Sequence, residues 1–374
     1  MLYRNSSPPS SAPNPTPCEF DFLVHATNPE LASKFTTPHS DVIYDISFDS
    51  QKRRLASCSA DQTVFIWTLD DSGKWVRDSS IKEHGGTAWK VTWAHPQFGQ
   101  ILATCSFDNK RVRLFEAVPG DNNDLGRKRW VAVNSFEDRL NNLVTDVKFT
   151  PPHIGLALGM CSVDGYVRIM GAENDLKSWK EIVHINIKYA SLACLAFSES
   201  TRSNLLVAVG SEVISHEDVA SDYDSKQQSY FNLFQVDIKP TDRGKPKNMS
   251  FISFDDSKLN VDSPVRACCF APVLGRSFQL LAIGSATMIV YQIKSSNALS
   301  RTSLSYPPNF NNPHCAIWRL AWNITGTQLV GSTTHGNVFV WRLSNGCQWD
   351  LVSCKSKNSS PSIERPLTDH STAS

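Results

Sequence analysis

The sequence lacks an excess of charge of either sign: 37 Lys and Arg stand against 36 Asp and Glu in 374 residues, a formal net charge of +1. That balance gives no electrostatic footprint of a nucleic-acid or membrane-surface binder, and the basic run Arg127, Lys128, Arg129 reads as a solvated loop. The chain also lacks any apolar run approaching the ~18 residues of a membrane span. Its first residues, MLYRNSSPPSSAPNPTP, have no apolar signal core, so we expect a soluble, intracellular protein without membrane insertion. Ten cysteines are present, but no two CxxC pairs, and the adjacent Cys268 and Cys269 cannot chelate as such a pair does, so no zinc site is expected. A Walker loop, GxSxG, HExxH and a GxGxxG after a strand are all missing. With them goes the case for the commonest enzyme chemistries and for a bound cofactor.

What is present is a phrase that returns: LASCSADQTVFIW at 55–67, LATCSFDNKRVRLF at 102–115 and LGMCSVDGYVRIM at 158–170. Each copy is a period-two apolar strand, a polar turn opened by Asp, and a second β-rich strand. Upstream of the phrase stands a strand that ends in an aromatic, at Phe48, Trp93, Phe149 and Trp322, before a turn rich in Pro, Gly or Asn. Cys58, Cys105 and Cys161 fall at equivalent strand positions, as free core cysteines would. Self-similarity at roughly 40 to 55 residues points to repeat architecture.

The unit resembles the WD repeat, whose four-stranded sheets are the blades of a β-propeller. Three weaker copies, beginning SLACLAFSES, SPVRACCFAP and IWRLAWNITG, bring the count to six. The expected fold is all-β: a six-bladed WD-repeat β-propeller, open, spanning 18–354 as one repeat-built domain. Its blades would fall at about 39–80, 84–135, 143–185, 190–240, 251–294 and 314–354. The tails 1–17 and 355–374 are rich in Ser, Pro and polar residues and are expected to be disordered. So is the insertion 212–229 as a mobile loop within blade four.

In WD repeats a His, a Ser or Thr, the turn Asp and a Trp often form a buried hydrogen-bonded set. His39, Asp61 and Trp67 fit it, with Ser57 or Ser59 as the hydroxyl. His84 and Asp108 fit it in blade two, where Phe115 replaces Trp; blade three keeps Asp164 alone; blade six keeps His314 and Trp341, with His335 near the Asp position. The tempting triad His84, Asp108 and Ser106 recurs in kind in blade one, and a catalytic constellation is needed only once. The set therefore reads as structural, with no catalytic, cofactor or metal residues.

Several phrases go beyond the generic repeat. WKVTWAHPQFGQILATCSFD at 89–108 looks like the second blade of the Sec-thirteen and Seh-one family of coat and nuclear-pore scaffold propellers, where HP-x-[FY]-G is characteristic. FAPVLGRSFQLLAI at 270–283 and WRLAWNITGTQL at 318–329 look like its Seh-one branch. The long loop at 212–229 and THGN at 334–337 depart from the pattern.

The resemblance implies a non-enzymatic scaffold at the nuclear envelope, in the Y-shaped nuclear-pore subcomplex. There a helical scaffold nucleoporin would insert strands into an open ring, supporting transport and pore assembly. It also implies possible membership of the GATOR nutrient-signalling complex, with lysosomal-surface and kinetochore sites as further places. A COPII coat subunit and a peptide-binding WD adaptor stay open as alternatives. Unpaired strand edges are templates for such pairing, and the interface would exceed about 1,000 Å². An apolar strand at 20–24 precedes blade one and could instead staple the ring shut.

Overall fold

The computed structural model describes residues 19–21, 34–82, 85–106, 110–119, 128–136, 142–173, 175–187, 190–199, 204–214, 230–239, 247–253, 259, 261, 263–294, 298–304, 316–344 and 348–355. Alternating apolar and small residues, punctuated by Gly, Asp and Pro turns, give antiparallel strands almost throughout. A short hairpin pairs β1 (Glu19–Asp21) with β2 (Lys34–Thr36). Sheet one is β3 (Ile43–Phe48), β4 (Arg54–Ser59), β5 (Val64–Leu69) and β6 (Trp75–Ile81). Sheet two is β7 (Ala88–Trp93), β8 (Ile101–Ser106), β9 (Val112–Pro119) and β10 (Lys128–Ser135). Sheet three is β11 (Val144–Phe149), β12 (Ala157–Ser162), β13 (Tyr166–Ala172) and β14 (Trp179–Asn186). Sheet four is β15 (Ala190–Phe197), β16 (Asn204–Ile214), β17 (Phe231–Lys239) and β18 (Lys247–Ser253). Sheet five is β19 (Ala267–Phe270), β20 (Phe278–Gly284), β21 (Met288–Lys294) and β22 (Leu299–Leu304). Sheet six is β23 (Ile317–Trp322), β24 (Gln328–Thr333), β25 (Val338–Leu343) and β26 (Trp349–Lys355).

Every four-stranded sheet is a meander of four strands consecutive in sequence. Six such sheets are the blades of a six-bladed β-propeller. The chain divides into two compact units, 1–261 with the hairpin and sheets one to four, and 262–374 with sheets five and six. Boundaries differ from the sequence reading: β16 runs through Ile214, into the expected loop 212–229, and β26 includes Lys355 of the expected tail. Phe251–Ser253, assigned there to blade five, pair with Phe234–Val236 and complete sheet four. The described N-terminal strand begins at Glu19 and pairs with β2, so among the described residues it joins no blade; residues 22–24 of the expected strand lie outside the described residues.

One column of cross-strand partners repeats through the chain. The aromatic that ends the first strand faces an aliphatic on the second, which faces a large residue on the third. The rows are Phe48–Leu55–Trp67, Trp93–Leu102–Phe115, Phe149–Leu158–Met170, Phe197–Val207–Phe234, Phe270–Leu281–Tyr291 and Trp322–Leu329–Trp341. The returning phrase is this register seen as sequence, because a one-residue slip would exchange the two faces of a strand and break every row.

Neighbouring blades share cores. Ala56, Cys58 and Ile66 of sheet one pack with Val91, Leu102 and Phe115 of sheet two. Sheets two and three meet through Ile101, Leu114, Val147 and Met160; three and four through Val167, Ile169, Leu195 and Val207; five and six through Met288, Val290, Leu329 and Trp341. Their buried cysteines, Cys58, Cys105 and Cys161, are free thiols, and burial pushes each above the ordinary thiol value.

Candidate interaction surfaces

The polar set of sheet one is built at the β4–β5 turn. Asp61 takes four donors: His39 Nδ1 at 2.9 Å, Ser40 N at 3.0 Å, Thr63 N at 3.0 Å and Thr63 Oγ1 at 2.6 Å. His39 Nε2 lies 2.9 Å from Ser57 Oγ, and Trp67 Nε1 donates to that same oxygen at 3.0 Å. Proton accounting fixes the directions. The carboxylate requires a proton on Nδ1, so Nε2 accepts from the Ser57 hydroxyl, whose lone pair accepts from Trp67. Ser57, not Ser59, is the hydroxyl of the set; Ser59 Oγ instead donates to the Asp41 carbonyl and accepts from Asp61 N. Burial lowers the pKa of His39 against the pull of Asp61. Burial raises that of Asp61, but the donations from Thr63, His39 and Ser40 outweigh it and hold the carboxyl below its ordinary value.

Among the described residues of sheets three and six the set is rebuilt or replaced. In sheet three Met160 and Met170 stand where Ser57 and Trp67 stand, and Arg168 occupies the register place of Phe65. The buried Arg168 lies 3.6 Å from Asp164, donates to Ser162 Oγ at 3.3 Å and covers the Tyr166 ring; Ser162 Oγ also donates to Asp164. In sheet six Gly331 replaces Ser57, and the Trp341 ring closes over it: a Cβ there would meet Trp341 at 3.3 Å and Met288 at 2.6 Å. His335, at the Asp position, is exposed beside Thr334. His84, Asp108 and His314 lie outside the described residues, and Ser106 is fully buried. Arg168 and Thr63 were missed by sequence reasoning, since neither belongs to the repeat's usual four residues; an Arg two residues before the Met that replaces Trp was the available signal.

A second polar device links first strands. Asp45 Oδ2 accepts from Val91 N at 3.3 Å, and Asp146 Oδ2 accepts from Leu195 N at 3.0 Å. Lys90, at the same register place in sheet two, lies 3.5 Å from Asp146, both buried. The bulges that aim these side chains recur after Ile43, Ala88, Val144 and Ile317, leaving Tyr44, Trp89, Thr145 and Trp318 outside the ladder.

Apolar exposure is uneven. Strands β8 and β12 are buried at all six positions, whereas β24 and β25 alternate, with Leu329, Gly331, Phe339 and Trp341 buried and Val330, Ser332, Val338 and Val340 half-buried. Among the described residues the exposed large apolar side chains are Val42, Phe48, Leu69 and Val76 on sheet one, Trp318, Ile324, Leu351 and Val352 on sheet six, and Val273 and Leu274 in a turn of sheet five. Leu55, Phe65 and Trp67 cluster with Ile46 and Trp75 of their own sheet.

Repeated four-stranded meanders with a His–Ser–Asp–Trp set at the turn of the first define a WD-repeat β-propeller protein, and residues 31–68 match the family model "WD domain, G-beta repeat". The chain is 35% identical over 344 residues to nucleoporin SEH1 of Bos taurus, covering 88% of this chain and 90% of the relative. It is 34% identical over the same length and shares to nucleoporin SEH1 of Homo sapiens. Against nucleoporin SEH1 of Danio rerio it is 33% identical over 345 residues, with 88% and 89% covered. The chain belongs to the SEH1 nucleoporin family.

Proposed function

We propose that this chain is a non-enzymatic scaffold propeller of the nuclear pore, and that a helical scaffold nucleoporin docks on it by donating strands as an additional blade. The observation that carries the reading is the alternation in sheet six: a sheet whose central strands bury one face and leave Val330, Val338 and Val340 half-exposed on the other is short of a covering layer. Sheet one carries an apolar cluster of its own, Leu55, Phe65 and Trp67 with Ile46 and Trp75, on the face opposite the core it shares with sheet two. Main-chain pairing at a blade edge would give affinity, and these apolar faces would give specificity.

The experiment is affinity purification of tagged wild-type chain and of a Val338→Glu/Val340→Glu variant, followed by mass spectrometry. We expect a helical nucleoporin captured by the wild type and lost from the variant, at unchanged melting temperature. Retention by a folded variant would overturn the docking face. Capture of COPII cage subunits or GATOR subunits in place of nucleoporins would move the chain to that assembly.

A further inference from the structure

Two basic runs far apart in the chain meet in the fold. The β3–β4 turn of sheet one carries Lys52, Arg53 and Arg54, and Lys128 and Arg129 open β10 of sheet two, a strand start where the sequence reads as a loop. Trp93 joins the two places. Its Nε1 donates to the Ser47 carbonyl near the end of β3 at 2.9 Å, and its ring lies 5.6 Å from that of Trp130, which shares a strand face with Lys128. Strands β6 and β10 are in contact at the same junction. Lys52, Arg53 and Lys128 are exposed and Arg54 is half-buried; among the described residues none of the four forms an ion pair. Burial, and after it the neighbouring Arg54, lower the pKa of Lys128 against a smaller pull from Asp78, so like charge prevails there. The carboxylates of the bordering turns cap their own backbone: Asp49 Oδ1 accepts from Arg53 N at 2.9 Å, and Asp70 Oδ1 from Lys74 N at 2.7 Å. Val76, 51% exposed, stands in one cross-strand row with Thr68 and Arg54.

We propose that Arg54 and Lys128, with Lys52, Arg53 and Val76 beside them, form a docking site for an acidic linear segment of a partner protein, its Asp or Glu residues placed on either side of an apolar side chain. Charge complementarity selects the ligand, because a carboxylate set between crowded cations relieves the repulsion that Lys128 meets from Arg54. The Arg54 guanidinium can take a carboxylate through two parallel N–H bonds, and Lys128 adds a point charge. Val76 gives the apolar residue of the segment a surface on which to leave water. A nucleic acid fits less well. The aliphatic Val76 offers no ring on which a base could stack, and a chain with 37 basic and 36 acidic residues carries no wide cationic excess for a phosphate backbone. The site uses no residue of the sheet-six face and does not depend on the strand-docking reading.

The test is fluorescence anisotropy with the full chain and a fluorescein-labelled peptide of alternating Asp and Glu around one Leu. We expect Arg54→Glu/Lys128→Glu to weaken binding by about tenfold or more, and added salt to weaken it as well. Lys177→Glu/Lys180→Glu, which makes the same charge change at exposed positions of sheet three, should bind as the wild type does. If Arg54→Glu/Lys128→Glu lowers the melting temperature, Lys52→Glu/Arg53→Glu in the exposed turn decides, with the same loss expected. Failure of the peptide to bind, wild-type affinity in the folded sheet-one variant, equal weakening by the sheet-three pair, or equal affinity for a labelled single-stranded oligonucleotide would overturn the proposal.

Discussion

The Arg276 guanidinium of sheet five donates to the Thr325 carbonyl in the β23–β24 turn, and its tip occupies the space that a side chain at position 326 would need. A Cβ built on Gly326 would meet Arg276 Nη2 at 2.2 Å, and Gly326 itself sits at φ 61°. Asn323 shapes the same turn, its Oδ1 accepting from Thr327 N at 2.8 Å and Gln328 N at 3.0 Å. The phrases FAPVLGRS and WNITGT, which carry the family resemblance, are thus two sides of one contact between blades.

Arg276→Ala should cost about 1 kcal/mol in urea denaturation, and Gly326→Ala about 1 to 2 kcal/mol from backbone strain plus the displaced guanidinium. Because the two substitutions act on one contact, the double variant should cost less than their sum. Strict additivity would separate the glycine from the latch.

Ser57→Ala removes the oxygen shared by His39 and Trp67 and should destabilise the chain by about 1 to 3 kcal/mol. Asp61→Ala strips the acceptor from His39, Ser40 and Thr63 and should cost a similar amount. Wild-type thermal stability in Asp61→Ala would show that the set does not hold the blade. Ser59→Ala, which touches neither His39 nor Trp67, should cost less than Ser57→Ala.

Acidification should weaken the fold in two stages. The pKa of His39 lies below 6.5 in the folded chain, so below about pH 6.5 the unfolded ring takes up a proton that the folded one resists, and stability falls. Asp61, held below 3.8, contributes stability that is complete above that value and is lost as pH drops through its folded pKa. His153, also lowered by burial, adds to the first stage. Melting curves between pH 7.5 and 5 should therefore slope less in His39→Gln than in wild type, and an unchanged slope would assign the first stage elsewhere.

Lys90→Ala removes the ammonium that lies 3.5 Å from the buried Asp146 and should cost about 3 kcal/mol. Lys90→Met/Asp146→Asn should recover part of that loss, since neither member of the pair then leaves the other's charge behind. Chemical denaturation of the three chains reads the difference.

The blades legible in sequence were those whose turn chemistry survives: Asp61 and Asp164 mark turns, and Phe48, Trp93, Phe149 and Trp322 mark strand ends. Sheet four was less legible because Lys247–Ser253 offers no strict alternation, and only its pairing with β17 assigns it. The choice of Ser57 over Ser59 was invisible because both alternate on one side of β4, and only the depth of His39 and Trp67 separates them. Arg168 was overlooked because its partner Asp164 read as a remnant, when it had acquired a new cation in place of His.

The meander order has a consequence for synthesis. Since each four-stranded sheet is drawn from adjacent strands, no blade waits for a distant part of the chain. Sheet one is complete once Ile81 has cleared the ribosome, and sheet two can add its core to an already formed template. Within residues 1–261 the blades can then accrue in the order of translation, sheet two on one, three on two and four on three. The last to emerge is sheet six, whose described ladder ends where Val338 pairs with Lys355.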